Sequence, residues 1–436
     1  MLEADPALEV EAPPPETTAK NAHDPYAALR VRDYRLYLIS SIVATVGGEM
    51  QMVAVGWELY ERTRRAMDLG LVGLALGLPF LLLVIPAGQV ADRVSRRRIV
   101  LVAYVLMALA SVGLAVLSAL RGPIGLIYAC LMVTGSAAAF SMPAKWAMVP
   151  QLVPKAALTN AITWNSSGWQ VASVAGPALG GLVIAVTHGA TWAYVVDVVC
   201  CLAVFGLLLA IPDRHRPQPA AELERVTRRS LLAGLTFVRG NPLLLATFTL
   251  DLFAVLLGGA TALLPIYARE ILAVGPTGLG WLRAAPSAGA FTMALVLAHR
   301  PPMRRAGPAL LWAVAGFGGA TIAFGLSRNF WLSLAMLAMT GAADNISVVV
   351  RATLLQVLTP DAMRGRVSAV NGVFIGASNE LGGFESGVAA AVFGPVVAVV
   401  AGGIGSLLVL LGVAAIWPEV GRLGPLERAG LEEDLP

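Results

Sequence analysis

Twelve long apolar stretches separated by short polar connections run along the chain. They fall near residues 35 to 60, 68 to 92, 98 to 120, 123 to 146, 158 to 187 and 190 to 212, then 241 to 268, 276 to 299, 305 to 327, 329 to 353, 363 to 392 and 394 to 417. A bilayer core about 30 Å thick takes roughly 20 apolar residues as a helix, so each stretch is long enough to cross one. None alternates with a period of two, and backbone in hydrocarbon must satisfy its own hydrogen bonds. The pattern therefore predicts an all-α membrane protein rather than barrel strands.

The stretches repeat. Lys145 matches Arg351, Pro154 matches Pro360 and Asn165 matches Asn371, each 206 residues on. Thr134-Gly135 likewise matches Thr340-Gly341, while Tyr60 and Arg62 match Tyr267 and Arg269 at 207. One offset shared by separate segments marks an internal duplication. Two pseudo-symmetric six-helix bundles in the same orientation follow, related by an axis along the membrane normal. The expected division is a tail at 1–34, bundles at 35–212 and 241–417, a linker at 213–240 that acts as the hinge, and a second tail at 418–436.

Charge sets the orientation. Arginine and lysine crowd the even-numbered connections, as at Arg93, Arg96, Arg97 and Arg98 or at Arg364 and Arg366, and thin out in the odd ones. By the positive-inside rule both termini are expected in the cytoplasm. The net charge of +4 thus reports topology and not a nucleic-acid surface, and 57% hydrophobic against 13% charged residues leaves no soluble domain of useful size. The segment up to about Ala28, rich in Pro and acid, reads as a disordered cytoplasmic tail. Cys130, Cys200 and Cys201 lie in apolar stretches as packing residues. No metal-ligand spacing, nucleophile with base or phosphate loop is present, so neither an enzyme, a cofactor protein nor a nucleotide-driven pump is expected.

Two motifs carry more. Gly88-Gln89-Val90-Ala91-Asp92-Arg93-Val94-Ser95-Arg96-Arg97-Arg98, at the end of the second stretch, resembles the G-x-x-x-D-R-x-G-R-R/K loop of the major facilitator superfamily, with Ser95 replacing the second glycine. In that fold Gly88 would let helices approach and Asp92 would lie on the N-terminus of the eleventh helix, locking the cytoplasmic gate. Topology alone would account for the arginines, though not for Gly88 and Asp92. Gly176-Pro177-Ala178-Leu179-Gly180-Gly181 resembles the G-P-x-x-G-G antiporter motif of exporters in the superfamily, and also reads as a small-residue packing seam. Gly47 through Tyr60, Gly70-Leu71 and Pro360 through Arg366 resemble the branch of enterobactin exporters and macrolide efflux proteins. One departure is Leu131, where drug/proton antiporters often carry an arginine.

Ionisable residues inside the stretches are functional candidates by default. At about 1.5 Å per residue, Asp251 lies roughly 15 Å from the cytoplasmic end and Arg283 roughly 10 Å from the outer end, so the two are expected to meet as a proton-sensitive pair. Glu49, Asp344 and Glu380 are further coupling candidates, and Asp197 is expected to be peripheral. Trp164, Trp169, Gln170, Asn371 and Phe374 are candidate cargo contacts, because the fifth and eleventh helices line the cavity in this fold.

The resemblance implies a monomeric secondary transporter in the bacterial inner membrane. It would export a small amphipathic molecule, siderophore- or drug-like, by alternating access and proton antiport. A nutrient importer or facilitator is the alternative within the fold, and a non-transporting receptor or scaffold the alternative outside it.

Overall fold

A computed structural model describes residues 24–213, 228–301 and 303–424. Six long helices form the first half: α1 (Arg32–Thr63), α2 (Ala66–Arg93), α3 (Arg96–Ala119), α4 (Ile124–Leu152), α5 (Leu158–Thr187) and α6 (Thr191–Leu209). After the short α7 (Arg228–Gly240), the second half runs through α8 (Pro242–Leu257), α9 (Leu264–Ile266), α10 (Gly275–Ala298), α11 (Ala306–Leu326), α12 (Phe330–Leu358), α13 (Asp361–Phe393), α14 (Pro395–Ile416) and α15 (Pro418–Arg422). Among the described residues, 11 segments are long and apolar enough to cross a membrane. The 33-residue α13 is long enough but stands outside that set, its apolar surface diluted by Asn371, Asn379, Glu380 and Glu385.

Local chemistry sets the helix ends. Asn241 and Asn329 accept from the backbone N–H three residues on, at 3.1 Å each, and so cap α8 and α12. Ser95, at the position of the motif's second glycine, does the same for α3 through Arg98 N. Its φ is −52°, so no left-handed turn is needed there and serine is the better residue. Gly394, at φ +87°, makes the tight joint between α13 and α14 that a side chain would strain.

The duplication is visible in packing. A side chain at Gly135 of α4 would fall on the Leu76 carbonyl of α2, and one at its repeat partner Gly341 of α12 would fall on the Pro286 carbonyl of α10. Matching glycines thus let matching helix pairs touch backbone to backbone.

Three apolar cores define the architecture. One, at the end away from the arginine clusters, draws on both halves: Val53, Leu59, Ile184 and Tyr194 with Leu263, Tyr267, Leu279 and Phe324. The other two lie at the basic end, one within the first half around Tyr34, Ile99, Met148 and Leu208, the other within the second around Leu244, Leu310, Leu354 and Val413. The halves are therefore joined at the far end and keep separate cores at the basic end.

Several sequence expectations change. The segment from Asp24 to Arg30 is not a free tail: Ala28 is fully buried, and its N–H donates to Asn160 on α5 at 3.0 Å. Within the expected linker, α7 docks on α13, with Gly234 against the Arg366 carbonyl, so this part belongs to the second half; residues 214–227 lie outside the described residues. The chain after 417 also packs, as Gly307 N and Ala306 N donate to the carbonyls of Leu423 and Gly424. The seventh stretch is not one helix. It breaks after Leu257 at Gly258 and Gly259 and continues through 3-10 and π turns to Ile271.

Candidate functional site

The interface between the halves is built by α5 against α10 and by α2 against α13. Glycine makes both seams. A Cβ on Gly181 would strike the Pro276 carbonyl and come within 2.9 Å of Gly280 Cα, and one on Gly70 would come within 2.9 Å of Gly387 Cα. The G-P-x-x-G-G motif is divided between two partners. Gly176 and Gly180 face α1 at Glu49 and Met50, while Pro177 and Gly181 face α10 at Gly280.

Glu49 lies at this junction. Its carboxylate approaches Arg283 Nε of α10 at 3.7 Å, an ion pair between the halves. Glu380 of α13 stands within electrostatic reach of Arg283 and is held against α2, where a Cβ on Gly77 would overlap its side chain. Arg283 thus pairs with Glu49, with a second carboxylate, Glu380, near it on another helix. This corrects the expected partnership of Arg283. Asp251 pairs instead with Arg351 of α12, inside the second half, with side chains only 9% and 4% exposed. The axial estimate put Asp251 and Arg283 at similar depth, but α8 turns Asp251 toward α12 while α10 turns Arg283 across the interface.

A second set of ion pairs lies at the far end. Arg269 donates to Glu61 at 3.0 Å, and Arg64 to Glu270 at 3.3 Å, so each half offers one arginine and one glutamate to the other. Arg269 also stands 5.3 Å from the Trp57 ring centre. Along the sequence the arginines stand out only for topology and the repeat, and Glu61 and Glu270 do not stand out. The repeat does not foretell the pairs: Arg62, the repeat mate of Arg269, pairs with Glu58 on its own helix at 3.2 Å, and Arg64 supplies the first half's cation. Reversing one charge, as in Glu61→Arg, is expected to speed far-side labelling of a reporter cysteine at Met52, which packs against the shared core. Adding Arg269→Glu should return the rate to that of the parent, because each exposed pair contributes about 0.2–1 kcal/mol.

The basic-end motif behaves differently from expectation. Among the described residues, a Cβ on Gly88 would meet nothing within 4 Å. The Asp92 side chain and its expected partner at the start of α13 lie outside the described residues. Arg93 is exposed. Arg96 donates to the Ala147 carbonyl at 2.8 Å, and Arg97 to those of Leu208 and Leu209 at 2.9 and 2.8 Å. Arg97 sits at the C-terminal turn of α6, where the last carbonyls lack α-helical partners, and Arg96 reaches a carbonyl more than one turn before the end of α4.

The expected cargo residues are scattered. Trp164 donates through Nε1 to the Pro25 carbonyl at 3.0 Å and stacks near Tyr26, so it holds the N-terminal segment. Phe374 packs on Phe248 within the second-half core. Gln170, seven residues before Pro177, lies on the α5 face that meets α10, and its Oε1 is buried without a hydrogen bond among the described residues. Trp169 is 55% exposed on the same helix, and Asn371 is half-buried on α13. Asp197, expected at the periphery, is 4% exposed and accepts from Ser111 at 2.5 Å; Ser111 in turn accepts from Gln51, which ties α1, α3 and α6 together.

Two helical bundles joined at one end around an interfacial ion cluster define a membrane transporter, not an enzyme. The chain belongs to the major facilitator transporters described as transmembrane secretion effectors, a family that matches residues 23–423. It is 28% identical over 358 residues to the multidrug efflux pump Tap of Mycolicibacterium fortuitum, covering 80% of this chain and 86% of Tap. It is 29% identical over 386 residues to the enterobactin exporter EntS of Shigella flexneri, covering 86% and 89%. In fold it resembles a bacterial homologue of the human lysosomal transporter Spinster in an inward-facing, unoccupied conformation (TM-score 0.66, 16% identity, 90% and 97% covered). A peptide transporter of the POT family in complex with sulfate is similar in the same way (TM-score 0.69, 12% identity, 90% and 96% covered).

Proposed function

We propose that the protein is a secondary active exporter of a small amphipathic molecule, siderophore- or drug-like, working by alternating access in exchange for protons. The observation that carries this reading is the interfacial cluster of Glu49, Arg283 and Glu380, set directly against the Gly176 to Gly181 seam. The basic end is cytoplasmic by the positive-inside rule, and both termini lie on that side. The arrangement with a shared far-end core is then the one that admits cargo from the cytoplasm. The efflux and siderophore-export activities named for the two relatives support the direction and the cargo class.

The chemistry is a competition for one guanidinium. While Glu49 is ionised, Arg283 ties α1 to α10 and favours the shut far end. An anionic group on the cargo displaces Glu49 from Arg283, which loosens the seam and lets the halves part outward; there the cargo leaves and Glu49 takes up a proton, which it gives to the cytoplasm after the return, as its pair with Arg283 re-forms. A coupling that acts this way has to differ in energy between the two states, and an ion pair made in only one of them supplies that difference. Gln170, Trp169 and Asn371 offer a hydrogen-bond acceptor, an aromatic face and an amide for the cargo. Asp251, held by Arg351, serves the second half's structure.

The test is proton release from acid-loaded proteoliposomes on addition of siderophores, macrolides or lipophilic cations. Cargo-dependent release is expected in the parent protein and not in Glu49→Gln, which should keep cargo counterflow. Release that is undiminished in Glu49→Gln would remove Glu49 from coupling, and cargo flux indifferent to the pH gradient would favour a facilitator.

A further inference from the structure

Inside the second half, apart from the interface, a cavity of about 220 Å³ opens where the seventh membrane segment breaks. Gly258 and Gly259 line it from the break, Thr321 from α11, Thr340 and Asp344 from α12, and Asn379 from α13. A separate, smaller space, also lined by Asp344, is lined by Asp251 as well.

The donor set has one sign. Thr321 and Thr340 donate their hydroxyl protons to their own helices, to Phe317 O at 2.9 Å and Leu337 O at 2.7 Å, which leaves oxygen lone pairs as what they can offer the cavity. Asn379 adds an amide oxygen, and Asp344 makes no ion pair or hydrogen bond among the described residues. Among the described residues, no lysine, arginine or histidine lines either space. The charged groups around Asp344 are Asp251 on α8 and Arg351 on its own helix, and these two neutralise each other. One carboxylate is left over in a chamber of acceptor oxygens, next to a broken helix, which is where membrane transporters build ion sites. An isolated carboxylate away from water is costly without a counter-charge.

We propose that this cavity is a monovalent-cation site, with Asp344 the charged ligand and Thr321, Thr340 and Asn379 the neutral oxygens. It takes a proton on the carboxylate or a sodium ion among the four side chains. The inference deepens the exporter reading by placing a coupling cation inside the second half, separate from the interfacial cluster. Binding there draws α11, α12, α13 and the broken segment together, so occupancy reaches the interface through α13, which also carries Glu380.

The experiment measures binding alone, so a failure of the export reading, seen as missing cargo flux, remains a separate result. Purified full-length protein in detergent is heated in sodium chloride against choline chloride at constant ionic strength and alkaline pH, and separately in sodium-free buffer at falling pH. A ligand that binds only the folded state raises the unfolding temperature. Asp344→Asn is expected to abolish the rise or to move its half-effect concentration at least about tenfold, a loss of one charged ligand. Thr340→Val should shift it less, and Trp312→Leu, at an exposed position outside the cavity lining, should respond as the parent does. A rise with sodium at fixed pH identifies sodium, and a rise with acid alone identifies the proton. No response in the parent, or an undiminished one in Asp344→Asn, overturns the proposal. If Asp344→Asn does not fold, Thr340→Val carries the comparison.

Discussion

Replacing Arg351 with Met is expected to destabilise the protein by about 3–5 kcal/mol, the cost of leaving one partner of a buried ion pair without the other. Asp251 would remain as an unpaired carboxylate among the apolar residues of the second-half core, with no other cation beside it among the described residues. The double variant Asp251→Leu/Arg351→Leu should recover most of the loss, because a buried pair exchanged for apolar side chains is close to neutral. Thermal unfolding in detergent reads both. A single variant as stable as the parent would mean that water reaches Asp251 and the pair is not sealed in the core.

Gly181→Leu is expected to abolish export while leaving the two bundles folded. Its side chain would enter the space of the Pro276 carbonyl and Gly280 Cα, which are backbone and cannot turn aside. Overpacking costs about 1–3 kcal/mol. Charged to one conformation only, that shifts the equilibrium away from the far-end-shut state by roughly 5- to 150-fold. Far-side labelling at Met52 should rise accordingly. Gly176→Leu acts on the other face of the motif, where Glu49 Cβ stands 2.7 Å from the added carbon, and should disturb the Glu49 contact with Arg283 as well. Unchanged labelling in Gly181→Leu would show that the seam does not govern closure.

Much of this arrangement could be read along the chain, for physical reasons. Hydrophobic length marked most of the spans, since a bilayer accepts few alternatives, and the repeat at 206 to 207 residues pointed to two similar halves. The break at Gly258-Gly259 passed unnoticed because apolar composition continues straight through it. Sites were harder. Depth along a helix follows from counting residues, but the face a side chain occupies depends on helix rotation, which packing decides. Asp251 and Arg283 were therefore matched by depth and proved to face different helices. Glu49 was singled out by its place inside a span, and its partner emerged only when the α5 seam brought α1 against α10. The far-end pairs of Glu61 with Arg269 and Arg64 with Glu270 were hidden because exposed charges near helix ends are common and most are solvated. Trp164 shows the limit of a cargo argument from residue type, since its indole N–H was taken by a segment expected to be disordered.

The central claim is that the two halves rock about the interfacial cluster, so that one end opens as the other shuts. Spin labels at Arg121 and Arg328, both exposed at the far end, and in a second preparation at Arg93 and Arg364, exposed at the basic end, report the two openings as distances. Acidification is predicted to lengthen the far-end distance and shorten the basic-end distance over the same pH range, and Glu49→Gln should hold the acid-state distances at every pH. Distances that stay fixed, or that lengthen together at both ends, would contradict alternating access driven from this cluster.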